Sequence, residues 1–290
     1  MQAEAHVNRI LPEVQETPTT WTPPTGVLGR IVAESTARVR EIPDRRRAEL
    51  EGMARAASAP PDFLAALRAG GSLAVIAEVK RRSPSKGEIN PALSAGAQAK
   101  AYASGGAAAI SVLTEPRHFG GSLDDLAEAR ASVAVPLLRK DFVVDRTQLL
   151  EARAEGASAA LLIARALEPA RLADLAAEAR AIGLEPLVEV RSEEELARAV
   201  ACGARVIGVN QRDLETLAVD ESVAARLLPL VPADAVAVSE SGVRDRAGVE
   251  RAAANGADVV LVGSALSAAA DPAAAVRALT GVARRGRRAR

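Results

Sequence analysis

A short phrase recurs along this chain and limits what it can fold into. A helix-patterned stretch ends in Gly-Ala and runs straight into an apolar strand. It reads Gly106-Ala107 before 109–113, Gly156-Ala157 before 159–163, Gly203-Ala204 before 206–210 and Gly256-Ala257 before 259–262. Glycine is expected just past a helix end, where φ turns positive, and the small Ala after it lies close to a sheet. Further strand candidates occupy 73–79, 135–140, 185–190 and 235–239. That makes eight strands whose starts are some 20 to 36 residues apart, with helical pattern between them. Nearly continuous apolar strands alternating with helices predict a parallel sheet covered by helices. Eight such units in about 220 residues predict an α/β fold, a (β/α)₈ TIM barrel. A doubly wound open sheet is the competing architecture. It usually has fewer strands, and no dinucleotide fingerprint follows the first strand here.

Ahead of the first strand, residues 27–57 follow a helical spacing, with Val27, Leu28, Ile31, Val32 and Val39 on the apolar side. Pro60-Pro61 ends that pattern, and Asp62 is placed to cap a short helix through Leu67. The expected organisation is a polar, flexible leader over 1–25 and one domain over 26–280. That domain includes an N-terminal helical extension of about 27–67. A basic flexible tail follows over 281–290.

Composition narrows the function classes. The formal net charge is zero and aromatics are 2% of 290 residues. Neither suggests nucleic acid or long stacked oligosaccharides. A single cysteine, Cys202, excludes an internal disulfide and fits a reduced cytoplasm. No apolar run approaches the ~20 residues that span a bilayer, and 1–25 lacks a signal-peptide core. Two distant histidines, His6 and His118, with one cysteine do not make a zinc site. The expected partner is a small phosphorylated molecule, with no nucleic acid and no membrane, and a monomer is one oligomeric state the sequence allows.

In such a barrel, chemistry gathers at the C-terminal strand ends. Those ends carry Glu78 and Lys80, Lys140, Glu189, Asn210 then Arg212, Glu240 with Ser241-Gly242, and Gly263-Ser264. Alternation puts Ile76, Glu78 and Lys80 on one face, Lys140 with Leu138, Glu189 with Leu187, and Asn210 with Gly208. A core built for stability alone would place Val, Ile or Leu there. The five residues Glu78, Lys80, Lys140, Glu189 and Asn210 are therefore expected as a catalytic ring. Small residues after the last two strands, and a short helix starting at Ser264, are where this fold commonly binds phosphate. No P-loop is present, so a nucleoside triphosphate is not indicated. Glu193-Glu194-Glu195 is expected as the solvated first turn of a helix capped by Ser192. His118 is expected to be a bystander.

The segments Ala77-Glu78-Val79-Lys80-Arg81-Arg82-Ser83-Pro84-Ser85-Lys86-Gly87, Leu138-Arg139-Lys140-Asp141-Phe142, Val209-Asn210-Gln211-Arg212-Asp213-Leu214 and Ser239-Glu240-Ser241-Gly242 resemble those of indole-3-glycerol phosphate synthases. Ser111-Val112-Leu113-Thr114-Glu115 and Phe119-Gly120-Gly121-Ser122 match as well. The resemblance covers about 26–280. It implies a (β/α)₈ barrel with extra N-terminal helices and a lyase of tryptophan biosynthesis that needs no metal or organic cofactor. The reaction implied converts 1-(2-carboxyphenylamino)-1-deoxyribulose 5-phosphate to indole-3-glycerol phosphate, releasing CO₂ and water. It implies Lys140 as the acid on the substrate ketone and Lys80 as partner of the substrate carboxylate. Glu78 and Glu189 become paired carboxylates, one of which takes a proton during dehydration. Asn210 and Arg212 surround the substrate carboxylate and hydroxyls, and Glu240 stands near the sugar hydroxyls. Ser83, Ser241, Gly242, Gly263 and Ser264 fall on the phosphate site, with Phe119 and Phe142 as the aryl wall. Three alternatives stay open: a Schiff-base aldolase with Lys140 as nucleophile, a non-catalytic paralogue that binds a phosphorylated ligand, and a retaining glycosidase.

Overall fold

A computed structural model describes residues 21–287. Residues 1–20 of the expected leader and the last three of the tail lie outside the described residues. The eight expected strands are all present: β1 (Ala74–Val79), β2 (Ala109–Leu113), β3 (Leu137–Lys140), β4 (Ala159–Ile163), β5 (Glu185–Val190), β6 (Val206–Asn210), β7 (Val236–Glu240) and β8 (Val259–Val262). They pair in parallel in chain order and close when β8 pairs with β1. A small antiparallel ribbon, Arg82–Ser83 with Gly87–Glu88, stiffens the loop after β1.

Alternation along each strand sorts the apolar side chains into two layers. Ile76, Leu138, Leu187, Val238 and Leu261 fill the barrel interior. Val75, Ile110, Leu162, Val188, Ile207 and Val260 face outward, under the helices. The covering helices are α4 (Ala95–Ser104), α5 (Leu123–Ser132), α6 (Arg146–Ala154), α7 (Pro169–Ala181), α8 (Glu193–Ala201), α9 (Ser222–Leu227), α10 (Arg246–Ala254), α11 (Ser264–Ser267) and α12 (Pro272–Leu279). The Gly-Ala phrase does what its chemistry predicts. At the end of α6, Gly156 has φ +79° and the Ala157 N–H reaches back to the Ala152 carbonyl at 2.9 Å. Gly203, φ +71°, repeats this after α8, with Ala204 bonded to Ala199 at 3.0 Å. Each turn satisfies an orphan helix carbonyl and aims the next strand inward.

The N-terminal extension is three helices, α1 (Gly26–Arg40), α2 (Asp44–Ala56) and α3 (Phe63–Arg68). The single stretch expected over 27–57 is divided at Pro43, because the residue before a proline is pushed out of the helical region. Asp62 caps α3 as expected, accepting the Ala65 N–H at 2.9 Å. Phe63 and Leu67 join the interior cluster beside Ala74, Val236 and Val259, at the strands' N-terminal ends. α3 thus plugs the bottom of the barrel. α1 lies at the opposite end. Its Leu28 and Ile31 pack with Phe142 and Ile163, and the Ser35 hydroxyl donates to the Phe142 carbonyl at 2.7 Å.

Two local expectations are corrected. Glu195 is not solvated; it is buried and accepts the Arg191 N–H at 2.7 Å, closing the cap that Ser192 begins. The described part of the basic tail, 281–287, is docked rather than free. Arg284 N–H bonds the Gly71 carbonyl at 3.0 Å. The Arg287 side chain is 4% exposed and pairs with Asp258 at 2.6 Å. It also donates to the carbonyls of Gly256, Pro232, Ala235 and Val231. A guanidinium whose donors all find acceptors can be buried. Among the described residues no helix is long and apolar enough to cross a membrane.

Candidate active site

The C-terminal strand ends converge on Lys140. Its Nζ lies 2.7 Å from Glu240 Oε2, 3.6 Å from Glu189 Oε2 and 3.9 Å from Glu78 Oε2. Four strands, β1, β3, β5 and β7, thus place one ammonium among three carboxylates. Lys80 stands beside this group, with its Nζ 2.5 Å from Glu78 Oε1. Room for that pair comes from the residue just after β8. A Cβ on Gly263 would fall 2.7 Å from Lys80 Nζ and 3.0 Å from Glu78 Cδ.

Asn210 organises the side of the ring opposite Lys80. Its Nδ2 donates to Glu189 Oε1 at 2.9 Å, while Oδ1 accepts the Ser241 hydroxyl at 2.8 Å and the Arg212 N–H at 2.9 Å. These bonds fix which way the amide faces. Arg212 in turn donates to the Leu217 carbonyl at 2.7 Å.

Lys140 and Phe142 are held from behind by a buried network. Asp141 accepts from Arg139 at 3.0 Å, Thr114 at 2.8 Å and Arg38 of α1 at 3.1 Å. It also accepts the Phe142 N–H at 2.8 Å. Arg139, 2% exposed, completes its bonds with Glu151 at 2.9 Å and the Gln148 carbonyl.

Burial and charge compete at each group. Burial works against the Lys140 ammonium, but Glu240, Glu189 and Glu78 outweigh it and hold its pKa above that of an ordinary lysine. Burial also opposes the Glu78 charge, yet Lys80 and Lys140 win and keep its carboxyl below the usual range. At Glu240 burial wins. Lys140 pulls the other way, Glu189 adds to the push, and the carboxyl is raised to about 8. Burial and the neighbouring Arg244 both lower Arg212.

Above the ring lies an open cleft with a cavity volume of about 160 Å³. Its walls differ in chemistry. Strands β2, β3 and β4 with their loops supply Leu113, Phe119, Phe142, Leu161 and Ile163. The Phe119 and Phe142 rings are 6.0 Å apart, tilted by 37°. Strands β7, β8 and β1 with their loops supply Ser241, Gly242, Arg244, Gly263, Ser264, Ser83 and Lys86. In the barrel order these two arcs face each other. The Ser83 Oγ is buried and has no hydrogen-bond partner among the described residues. One arc suits a flat apolar ring and the other an anion, with an acid and carboxylates between.

All of Glu78, Lys80, Ser83, Phe119, Lys140, Phe142, Glu189, Asn210, Arg212, Glu240, Ser241, Gly242, Gly263 and Ser264 line this one cleft. Glu240 was expected near sugar hydroxyls; here its Oε2 sits on Lys140. Sequence reasoning missed Lys86, Arg244, Leu214 and Leu217, which also line the cleft. The signal for Arg244 was its place two residues past Gly242. For the leucines it was apolar residues inside a polar loop. His118 bonds Glu34 of α1 at 2.7 Å and ties that helix to the loop carrying Phe119. That loop is ordered by Glu115, whose buried carboxylate accepts the N–H groups of Arg117, His118 and Phe119.

Solved structures share the fold. A 3-hexulose-6-phosphate synthase from Salmonella typhimurium matches with TM-score 0.58 at 16% identity, over 71% of this chain and 96% of that one. A thiamine phosphate pyrophosphorylase from Pyrococcus furiosus matches with TM-score 0.53 at 17% identity, over 71% and 93%. The sequence itself is far more specific. Indole-3-glycerol phosphate synthase 2 of Streptomyces coelicolor is 51% identical over 259 residues, covering 88% of this chain and 99% of that protein. The indole-3-glycerol phosphate synthase of a Nocardioides species is 54% identical over 77% of this chain and 85% of its own. The profile of the indole-3-glycerol phosphate synthases matches residues 28–279, and the chain belongs to that family.

Proposed function

We propose that this chain is a lyase that closes the indole ring in tryptophan biosynthesis. It converts 1-(2-carboxyphenylamino)-1-deoxyribulose 5-phosphate to indole-3-glycerol phosphate, CO₂ and water. The observation that carries this is the placement of Lys140, a charged acid at the cleft floor between an apolar arc and an anion-binding arc. The substrate has the same order: aryl ring, ketone, phosphate.

The phosphate takes the arc of Ser83, Ser241, Gly242, Gly263 and Ser264, with Lys86 and Arg244 adding charge. The aryl ring lies against Phe119 and Phe142. Binding at both ends brings the carboxyl-bearing aryl carbon over the ketone, and such positioning is worth several kcal/mol of barrel-imposed orientation. As that carbon attacks, the Lys140 ammonium gives its proton to the ketone oxygen and the carbon–carbon bond forms. Glu240, 2.7 Å away, is placed to return a proton to the neutral amine. Lys80 pairs with the substrate carboxylate, which leaves as CO₂ and restores the aromatic ring. Dehydration follows. Lys80 protonates the departing hydroxyl, and the ring methylene beside the anilino nitrogen gives up a proton to Glu189, which Asn210 holds in place, so that the indole double bond forms. Arg212 and Asn210 bind the substrate's polar groups. General acid–base help of this kind contributes about 10²–10⁴-fold.

The same geometry argues against a Schiff-base aldolase. A nucleophilic lysine must be neutral, and the acidic side chains around Lys140 hold its pKa above that of an ordinary lysine. The test is to add the carboxyphenylamino substrate to purified protein and follow indoleglycerol fluorescence. Absence of product would leave a phosphate-binding paralogue, and a borohydride-trapped adduct on Lys140 would restore the aldolase.

A further inference from the structure

Gly208 lies in the middle of β6, in register with Glu189 on β5 and Val238 on β7. It shares the inward face with Asn210 two residues on. Its φ is not in the left-handed region, so any residue could adopt its backbone. Space, not conformation, requires glycine. A Cβ there would fall well inside contact distance of Glu240 Oε1, 3.1 Å from Glu240 Cδ and 2.9 Å from Leu187 Cδ2. Glu240 is 1% exposed, and its Oε1 is buried with no hydrogen-bond partner among the described residues. Its Oε2 is the oxygen on Lys140. The carboxyl therefore fills the gap that Gly208 leaves in the inner wall. An ordinary side chain in that gap would push it out of its seat against Lys140.

We propose that Gly208 is a positioning residue: the space left by its missing side chain sets where the Glu240 carboxyl sits, and so how that carboxyl meets Lys140. The turnover arm of the test rests on the function proposed above; a second arm does not. In Gly208→Ala, kcat should fall by about 10²-fold, as an ångström-scale misplacement does, with KM little changed. Glu240→Asp shortens the carboxyl by one methylene and vacates the gap. Adding Gly208→Ala to it should then change kcat by less than about twofold, the non-additivity of residues in contact. Leu187→Val removes the other clash and guards against a packing fault. In the Gly208→Ala/Leu187→Val protein, kcat should stay low. Without substrate, carboxyl-carbon NMR of glutamate-labelled protein, assigned with Glu240→Gln, should show the Glu240 titration displaced by Gly208→Ala. The proposal fails if the Gly208→Ala and Glu240→Asp losses simply multiply, if Leu187→Val restores kcat, or if the titration does not move. If the wild-type protein makes no product, the assigned reaction is what fails, and the NMR arm still decides the seat of Glu240.

Discussion

Lys140 and Glu240 stand on opposite sides of the barrel wall, on β3 and β7, and touch across its mouth at 2.7 Å. Their contact makes the ring of strand ends one electrostatic unit, because removing either partner leaves the other buried and less well compensated.

Lys140→Ala removes the acid and the one cation that all three carboxylates share. Turnover of the carboxyphenylamino substrate should drop by at least about 10²–10⁴-fold. Circular dichroism should still show a folded barrel. A near-wild-type rate would take Lys140 out of the role given to it.

Glu240 carries a pH signature. Its folded-state pKa, about 8, is above the ordinary value of 4.5. Between these values the folded protein holds a proton that the unfolded chain has lost, so this group's contribution to stability declines as pH rises through that window. Glu240→Gln should flatten that part of the curve. Urea midpoints at pH 5 and pH 8 measure it, and an identical drop in both proteins would contradict the raised pKa.

Asp141→Ala leaves buried Arg139 with one carboxylate, Glu151, in place of two. Losing one partner of a buried pair costs about 3–5 kcal/mol, which urea unfolding would register. The Lys140–Phe142 segment loses its rear support as well, so kcat should fall in the surviving folded protein. A variant as stable as wild type would show that the other partners of Arg139 suffice.

Ser83→Ala removes a buried hydroxyl that faces the anion arc without a protein partner. A hydrogen bond to a charged group contributes about 1.5–3 kcal/mol, so KM should rise roughly 10- to 100-fold with kcat changed less. Inorganic phosphate should inhibit the variant more weakly than the wild type. Equal inhibition would move the phosphate elsewhere.

Removing residues 284–290 tests the docked tail. Arg287 is lost and Asp258 is stranded, so the melting temperature should fall while KM stays unchanged, because these contacts lie on the face away from the cleft. An unaltered melting temperature would return the tail to a solvated role.

Much of this was legible because strand alternation is rigid. Once Leu138 and Leu187 are inward, Lys140 and Glu189 must be inward too, and the structure places both in the cleft. What stayed hidden depends on closure. That β7 faces β3 follows from the ring, not from any local pattern, so the Lys140–Glu240 contact had no signal in the chain. The same holds for Gly208, which reads as an unremarkable strand glycine until the opposing carboxyl is seen. Arg287 and Glu195 were misjudged for a different reason. A charged residue with a full set of partners has the same composition as a solvated one.

The filled interior also decides how molecules move. Ile76, Leu138, Leu187 and Val238 leave no passage along the barrel axis, and α3 seals its floor. Substrate, carbon dioxide, water and the finished indoleglycerol phosphate therefore pass through the cleft at the C-terminal strand ends. Release is then a matter of traffic: the small gas can leave past a bound intermediate, whereas the bulky product must clear the opening before another substrate enters.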